Sequence, residues 1–357
     1  MNLPEPLPAN LHLEPPPASL RLRIDRAALV GNWNALHRLS GKAAAGAAVK
    51  ADAYGLGIDV VAPILCGADV REYFVAHWSE VPALLNYVEA SQISVLHGVG
   101  SAQEARFAIV TGVRPVINSL RQAALWVEAG GGRCNVMVDS GINRLGLAPA
   151  ELCDPIVQGL EIDILLSHLA SAEEDSAQNP RQLAIFRDTV PLVKAERLSL
   201  ANSAGIMLGP DYHFDLTRPG LALYGGIPHP SMQEHIAQVA FPQGAVLQIR
   251  HLHAGDAVGY NATWVADRET RVATVSVGHA DGFLRQMGVD CALQHDQERL
   301  PVLGRVSMDM IMVDASSSTV KEGDFLDLPG DLPGISQRSG LSQYEILTIL
   351  GKRFERS

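Results

Sequence analysis

The chain has 357 residues, 47% of them hydrophobic and 19% charged, with a formal net charge of −11. That length holds two domains, or one barrel with an appendage, and the acidic balance argues against nucleic acid or an anionic membrane surface as a partner. Cys66, Cys134, Cys153 and Cys291 form no C-x-x-C pair and read as buried, reduced thiols of a cytoplasmic protein, and no apolar run approaches the ~18 residues that cross a bilayer.

Residues 1–18 carry six prolines and no positive charge before Arg21. They lack the basic start and apolar core of a signal peptide and read as a disordered, loosely draped arm. Leu20 to Ile24 (LRLRI) alternates as a strand with one wet face. Asp25 then caps a helix whose apolar face is Leu29, Trp33 and Leu36. Strand-like runs recur at 43–49, 72–76, 93–96, 114–118, 134–139, 162–167, 197–201 and 214–218. Helical patterns fall between them at 79–90, 101–111, 119–129, 149–160 and 181–196, three opening on an N-cap serine. Eight strands alternating with helices over roughly 200 residues is the count for a parallel (β/α)8 barrel. A doubly wound open sheet stands second, since no G-x-G-x-x-G follows the first strand.

From Ile236 onward the runs are short and β-rich (VLQIRHLHAGDAVGY, RVATVSVG, RLPVLGRVSMDMIMVDA, GDFLDL), with one helical tail at 343–353. They describe a second, mainly antiparallel β domain. The expected division is therefore an arm at 1–18, a TIM-like barrel at 19–233 and a β-rich C-terminal domain at 234–357. His251 and His253 alternate along a strand without further ligands nearby and read as a wet face, not a metal site.

Chemistry in a barrel sits at the carboxyl ends of its strands. Lys50 and Tyr54 follow the first strand, Arg144 the fifth, His168 the sixth, Asn202 and Ser203 the seventh, and Arg218 and Gly220 end the eighth. The chain has only five lysines, at positions 42, 50, 194, 321 and 352. An ammonium beside apolar walls loses hydration and its pKa falls toward the nucleophilic range, as a Schiff-base lysine requires. A lysine snorkelling from a strand end is the plain alternative. Phosphate belongs after strands 7 and 8, where Ser203 and the backbone around Gly220 and Leu221 offer donors. A lysine and a phosphate cradle in one barrel mouth point to pyridoxal phosphate.

Seven motifs then follow in order: AVKADAYGLG at Lys50, DSGINRLGL at Arg144, ANSAG at Ser203, TRPGLALYGG at Arg218, GDAVGYNATW at Tyr260, GRVSMDM at Met308, and QYEILTILGKRFER at Tyr344. On these the chain resembles the alanine racemases, from about Leu20 to Arg356. The resemblance implies a cytoplasmic homodimer that uses pyridoxal 5′-phosphate to interconvert L- and D-alanine for cell-wall synthesis, with no nucleic-acid or membrane partner. Lys50 would hold the cofactor and act as the base on D-alanine, with Tyr260 as the base on the opposite face. A tyrosine, ordinarily near pKa ~10, needs positive charge nearby for that role. Arg218 would face the pyridine nitrogen, oriented by His168. Arg144 and the backbone N–H of Met308 would bind the substrate carboxylate, and Tyr54, Ser203, Gly220, Leu221 and Tyr344 would surround the phosphate. On their residues alone, Tyr260 reads as a core tyrosine on a strand and His168 as a plain buried histidine after one, and a phosphate ligand is the alternative for Arg218.

Two departures stand out. The family commonly has a lysine, often carbamylated, where this chain has Met137, so Arg144 needs other support. His279, in GHADG, stands where a tyrosine is usual at the site entrance. A broader amino-acid racemase on the same scaffold is the nearest rival. The other is a non-catalytic pyridoxal-phosphate carrier, which resembles only the barrel half and lacks the domain holding Tyr260 and Met308.

Overall fold

The computed structural model describes residues 16–357, so the arm expected at 1–18 lies almost wholly outside the described residues. Strand β1 (Leu20–Ile24) alternates buried and exposed residues as its pattern demands. It does not join the barrel, although the sequence places it at the head of that segment. It pairs antiparallel with a later strand at 240–244 and parallel with Glu355–Arg356. The helix Arg26–Leu39 follows, its first turn capped by the Asp25 carboxylate on Ala28 N–H at 2.9 Å, with Leu29, Trp33 and Leu36 buried.

The first barrel run is split at Gly46 into β2 (Ala44–Ala45) and β3 (Ala47–Ala48). After it come β4 (Tyr73–Val75), β5 (Ile93–Val95), β6 (Arg114–Ile117), β7 (Arg133–Met137), β8 (Glu161–Leu166) and β9 (Ala195–Ser199). β3 to β9 form one parallel sheet in chain order. β10 (Leu216–Thr217) closes the ring. It pairs in parallel with β2, and at its far side Arg218 N–H donates to Ala201 O at 2.8 Å. The sheet is the expected eight-run barrel; β4, β5 and β8 are buried as a parallel sheet requires, while β9 is buried only at its end, Ser199.

Helices Ala102–Thr111 and Leu120–Glu128 start on Ser101 and Ser119, whose hydroxyls accept from the N–H groups of Glu104 and Gln122. The third expected serine cap, Ser79, does not form. Glu80 takes the Ala76 and His77 N–H groups instead, and the helix that follows is only Val81–Leu84. Cys134 and Cys291 are buried, but Cys66 and Cys153 are exposed, against the expectation for reduced core thiols. Both lie where helical segments end at the surface.

The second half is an antiparallel sheet built on β11 (Ala240–Leu252), which pairs with β1, with Thr270–Val275 and with Phe325–Asp327. One hydrophobic core runs through both halves, from Phe74 in the barrel through Leu22 of β1 to Val275 and Phe354. Among the described residues no helix is long and apolar enough to cross a membrane.

A charge cluster plugs the amino-end of the barrel. The fully buried Asp163 of β8 takes Arg114 at 2.6 Å, Arg133 at 3.0 Å and Arg197 at 2.9 Å, and Arg197 also meets Glu72 at 2.6 Å. Burial pushes the Asp163 carboxyl up, but the arginine hydrogen bonds and charges more than reverse this and hold it below its usual range. Removing one member leaves buried charge uncompensated, so Asp163→Asn is expected to lower the unfolding free energy by about 3–5 kcal/mol, read in urea. Because the folded-state pKa is depressed, that stability is present above the unfolded carboxyl value of about 4 and is lost as pH falls through the folded value. The gap between parent and variant should therefore close in acid.

Candidate active site

A cavity of about 410 Å³ opens at the carboxyl ends of the barrel strands. It is lined by Lys50, Tyr54, Arg144, His168, Ser203, Arg218, Gly220, Leu221 and Tyr344, nine residues that the sequence had scattered over nearly 300 positions. Among the described residues no aspartate or glutamate lines it. The chamber is therefore cationic and hydroxyl-rich, suited to an anionic ligand.

Lys50 follows buried Val49 directly. Burial lowers its pKa first, then the positive charges of Arg144 and Arg218, with Glu80 opposing. The amine is thus more readily neutral than a surface lysine. Glu80, which the sequence reading did not single out, accepts from the Ala51 N–H beside Lys50. Its only prior signal was an acid in the first turn of the helical pattern at 79–90.

Tyr54 stacks on Tyr224 with ring centroids 4.8 Å apart, and Tyr224 donates to Ala48 O at 2.9 Å. Burial pushes the Tyr54 hydroxyl well above its usual range, so it stays a donor. A Cβ on Gly220 would lie 2.3 Å from that hydroxyl, so only glycine lets the backbone come so close. Ser203 Oγ sits on the Gly220 and Ala222 N–H groups at 2.9 and 3.3 Å. Hydroxyls, a glycine turn and nearby cations make a cradle that fits phosphate. Tyr344, at the cavity's edge, donates to Glu173 at 2.8 Å.

Arg218 is buried, and among the described residues it has no carboxylate partner. Its guanidinium donates to Ser199 Oγ and to the Ser167 and Leu200 carbonyls, and burial lowers its pKa to about 10. The expected steadying of Arg218 by His168 is not found: among the described residues no hydrogen bond joins the two side chains. Burial, then the charges of Arg218, Arg144 and Lys50, push His168 down to about 3. A neutral ring nitrogen can accept from a guanidinium, but the Arg218 donors go instead to the Ser199 hydroxyl and the Ser167 and Leu200 carbonyls, which do the holding.

Arg144 is presented by a loop wound around Asp139. That carboxylate accepts from the N–H groups of Gly141 (2.7 Å), Ile142 (3.0 Å), Asn143 (3.1 Å) and Arg144 (3.1 Å). The aspartate of the DSG motif is therefore the loop's anchor, a role the sequence reading did not assign. The Arg144 guanidinium itself has no ion pair among the described residues, and buried Met137 lines the cavity without charge.

Tyr260 and Met308 do not join this cavity. They are 65% and 58% exposed, on the β-rich half. Met308 O accepts from Ala280 N–H at 3.0 Å, and His279 N–H donates to Ser307 O at 3.0 Å, so the GHADG and SMDM loops adjoin. Within one chain, Lys50 and Tyr260 are not brought together.

Fold and cavity define a class of enzyme: a (β/α)8 barrel with a buried lysine amine and a hydroxyl-rich, cationic pocket in its mouth, followed by an antiparallel β domain. Residues 24–228 match the family model for the alanine racemase N-terminal domain, and 239–357 that for the C-terminal domain. The catabolic alanine racemase of Agrobacterium fabrum is 40% identical over 95% of this chain and 92% of its own, and the alanine racemase of Methylobacterium nodulans is 40% identical over 94% and 95%. Among solved structures, the Bartonella henselae alanine racemase with covalently bound pyridoxal phosphate superposes with a TM-score of 0.87 at 34% identity, covering 96% of this chain and 99% of that one. The chain belongs to the alanine racemase family.

Proposed function

We propose that this protein interconverts L- and D-alanine, with pyridoxal 5′-phosphate held in the 410 Å³ cavity. The observation that carries the reading is the convergence, in a member of this family, of Lys50, Arg144, Arg218 and a hydroxyl-rich cradle in a chamber free of carboxylates among the described residues. Lys50 would hold the cofactor covalently, Tyr54, Ser203, Gly220, Leu221 and Tyr344 would take its phosphate, and His168 and Arg218 would hold its ring end. When bound, the cofactor withdraws electrons from the substrate's α-carbon.

The remaining work belongs to the chain's own side chains. Lys50 moves a proton at the α-carbon on one face, and its lowered pKa favours the neutral form this needs. Tyr260 does so on the other face. Arg144 and the Met308 N–H bind the carboxylate. Arg218 would donate a hydrogen bond to a ring nitrogen without surrendering the proton, since arginine stays charged, and this would keep the electron sink weak and suppress side reactions.

The exposure of Tyr260 and Met308 supports a homodimer in which a second copy supplies both to the site of the first. We place the barrel domain within 19–233 and the β domain at 234–357, with Leu20–Ile24 lending its strand to the sheet of the second, and a cytoplasmic role in supplying D-alanine for peptidoglycan. The test is a racemisation assay on L- and D-alanine with and without added cofactor, with serine and lysine as comparison substrates. No turnover of alanine by cofactor-loaded protein would refute the reading, and equal turnover of all three would make it a broad racemase.

Met137 leads to a further expectation. With no lysine available to carry a carbamate beside Arg144, activity should be indifferent to bicarbonate. Stripping carbon dioxide from the buffer and restoring bicarbonate should change the rate in neither direction; a reversible loss would contradict this.

A further inference from the structure

The four residues after Lys50 all have left-handed backbones: φ is +55° at Ala51, +53° at Asp52 and Ala53, and +56° at Tyr54. L-residues with a side chain resist this conformation, and four in succession persist only where the surroundings over-determine them. The beginning of the turn is held by Glu80 on Ala51 N–H and by Ala53 N–H on Val49 O at 2.9 Å. Its middle is held by the Asp52 carboxylate on Ile58 N–H at 2.7 Å. Its end is held from the far end of the chain. Arg356 Nε and Nη2 both donate to Gly55 O, at 3.1 and 2.9 Å. A Cβ on Gly55 would lie 2.3 Å from Leu347 O, so the helix Gln343–Thr348, which brings Tyr344 to the cavity, presses on the same point.

We propose that Arg356, the penultimate residue, is a positioning residue for Lys50, acting through the Gly55 carbonyl to fix the left-handed turn; this rests on Lys50 being the cofactor lysine. The guanidinium is placed independently of the turn it grips. Arg356 pairs with Leu22 of β1, and Ser357 exchanges backbone hydrogen bonds with Leu22 and Ile24 at 3.1 and 2.7 Å. It also donates to Phe354 O and Gly351 O, both at 3.1 Å, and to Leu350 O at 3.4 Å, so it ties the tail's bend to the turn. Burial lowers its pKa and Asp52 opposes that, so the guanidinium is partly desolvated yet charged. The fork matters: a lysine offers one point charge and cannot bridge these carbonyls in fixed geometry. Lys50 starts the turn and Tyr54 ends it, so loosening it moves the amine and one wall of the cradle together.

The test uses full-length protein with Arg356→Met and Arg356→Lys, each checked for parental circular dichroism. Pyridoxal phosphate affinity is measured on stripped protein, and α-deuterium isotope effects on the loaded enzyme in both directions. Arg356→Met should weaken cofactor binding about tenfold, with methylguanidinium restoring part of it. The isotope effect should rise with D-alanine, the substrate of Lys50, and not with L-alanine, the substrate of Tyr260. Should the Met variant misfold, the Lys variant, which keeps charge and stem, carries the same comparison. Parental affinity and isotope effects in a folded variant would overturn the proposal, as would an equal rise in both directions. If the parent binds cofactor but does not racemise alanine, the functional reading fails while the affinity arm still decides on Arg356.

Discussion

Lys50→Ala should lose racemisation by about a thousandfold or more, because one substitution removes both the covalent hold on the cofactor and the base for one enantiomer. Its position supports this expectation. The amine follows a buried strand, loses hydration there, and faces two guanidiniums that lower its pKa further. Borohydride reduction of the loaded parent, followed by peptide mapping, should leave a pyridoxyl group on Lys50 and on no other lysine. Lys42, eight positions earlier and exposed, serves as an internal control. Label on Lys42, or an Ala variant that keeps parental activity, would refute the assignment.

Mixing two dead variants should bring activity back. Lys50→Ala and Tyr260→Phe each disable every site of their own homodimers. If a site joins Lys50 of one chain to Tyr260 of its partner, a mixed dimer has one site with both defects and one with neither. Random exchange makes about half of all dimers mixed, so roughly a quarter of parental activity should return. Were both bases supplied by one chain, each subunit would carry its own defect into every dimer. A mixture that stays dead, with exchange verified by mass spectrometry, would refute the shared site. The structure supplies the motive: 65% of Tyr260 faces solvent, and it lines no part of the cavity around Lys50.

Much of this was legible before any coordinates, for local reasons. A buried parallel strand announces itself as a short apolar run, and a barrel puts its chemistry at the ends of such runs. Lys50, Arg144, His168, Ser203 and Arg218 were all found by position along the chain, and all five line one cavity. Helix caps were less secure. Ser101 and Ser119 cap as their pattern implies, but Ser79 loses its place to Glu80, whose longer side chain reaches back to two N–H groups.

What the sequence determined by itself was the order of apolar runs, the two kinds of domain and the motif residues, because each depends on periodicity and spacing within a few dozen residues. Only the tertiary structure decided which distant segments meet. Strand β1 has the pattern of any half-wet strand, and nothing in LRLRI says that its partners begin about 220 residues later. Arg218 has several oxygens within reach of its long side chain, and packing selects Ser199 and the Ser167 carbonyl over His168. Glu80 meets Ala51 across 29 residues, and Arg356 meets Gly55 across 301. Backbone groups in a left-handed turn accept donors from wherever the fold delivers them, and that delivery depends on long-range packing that no local pattern records.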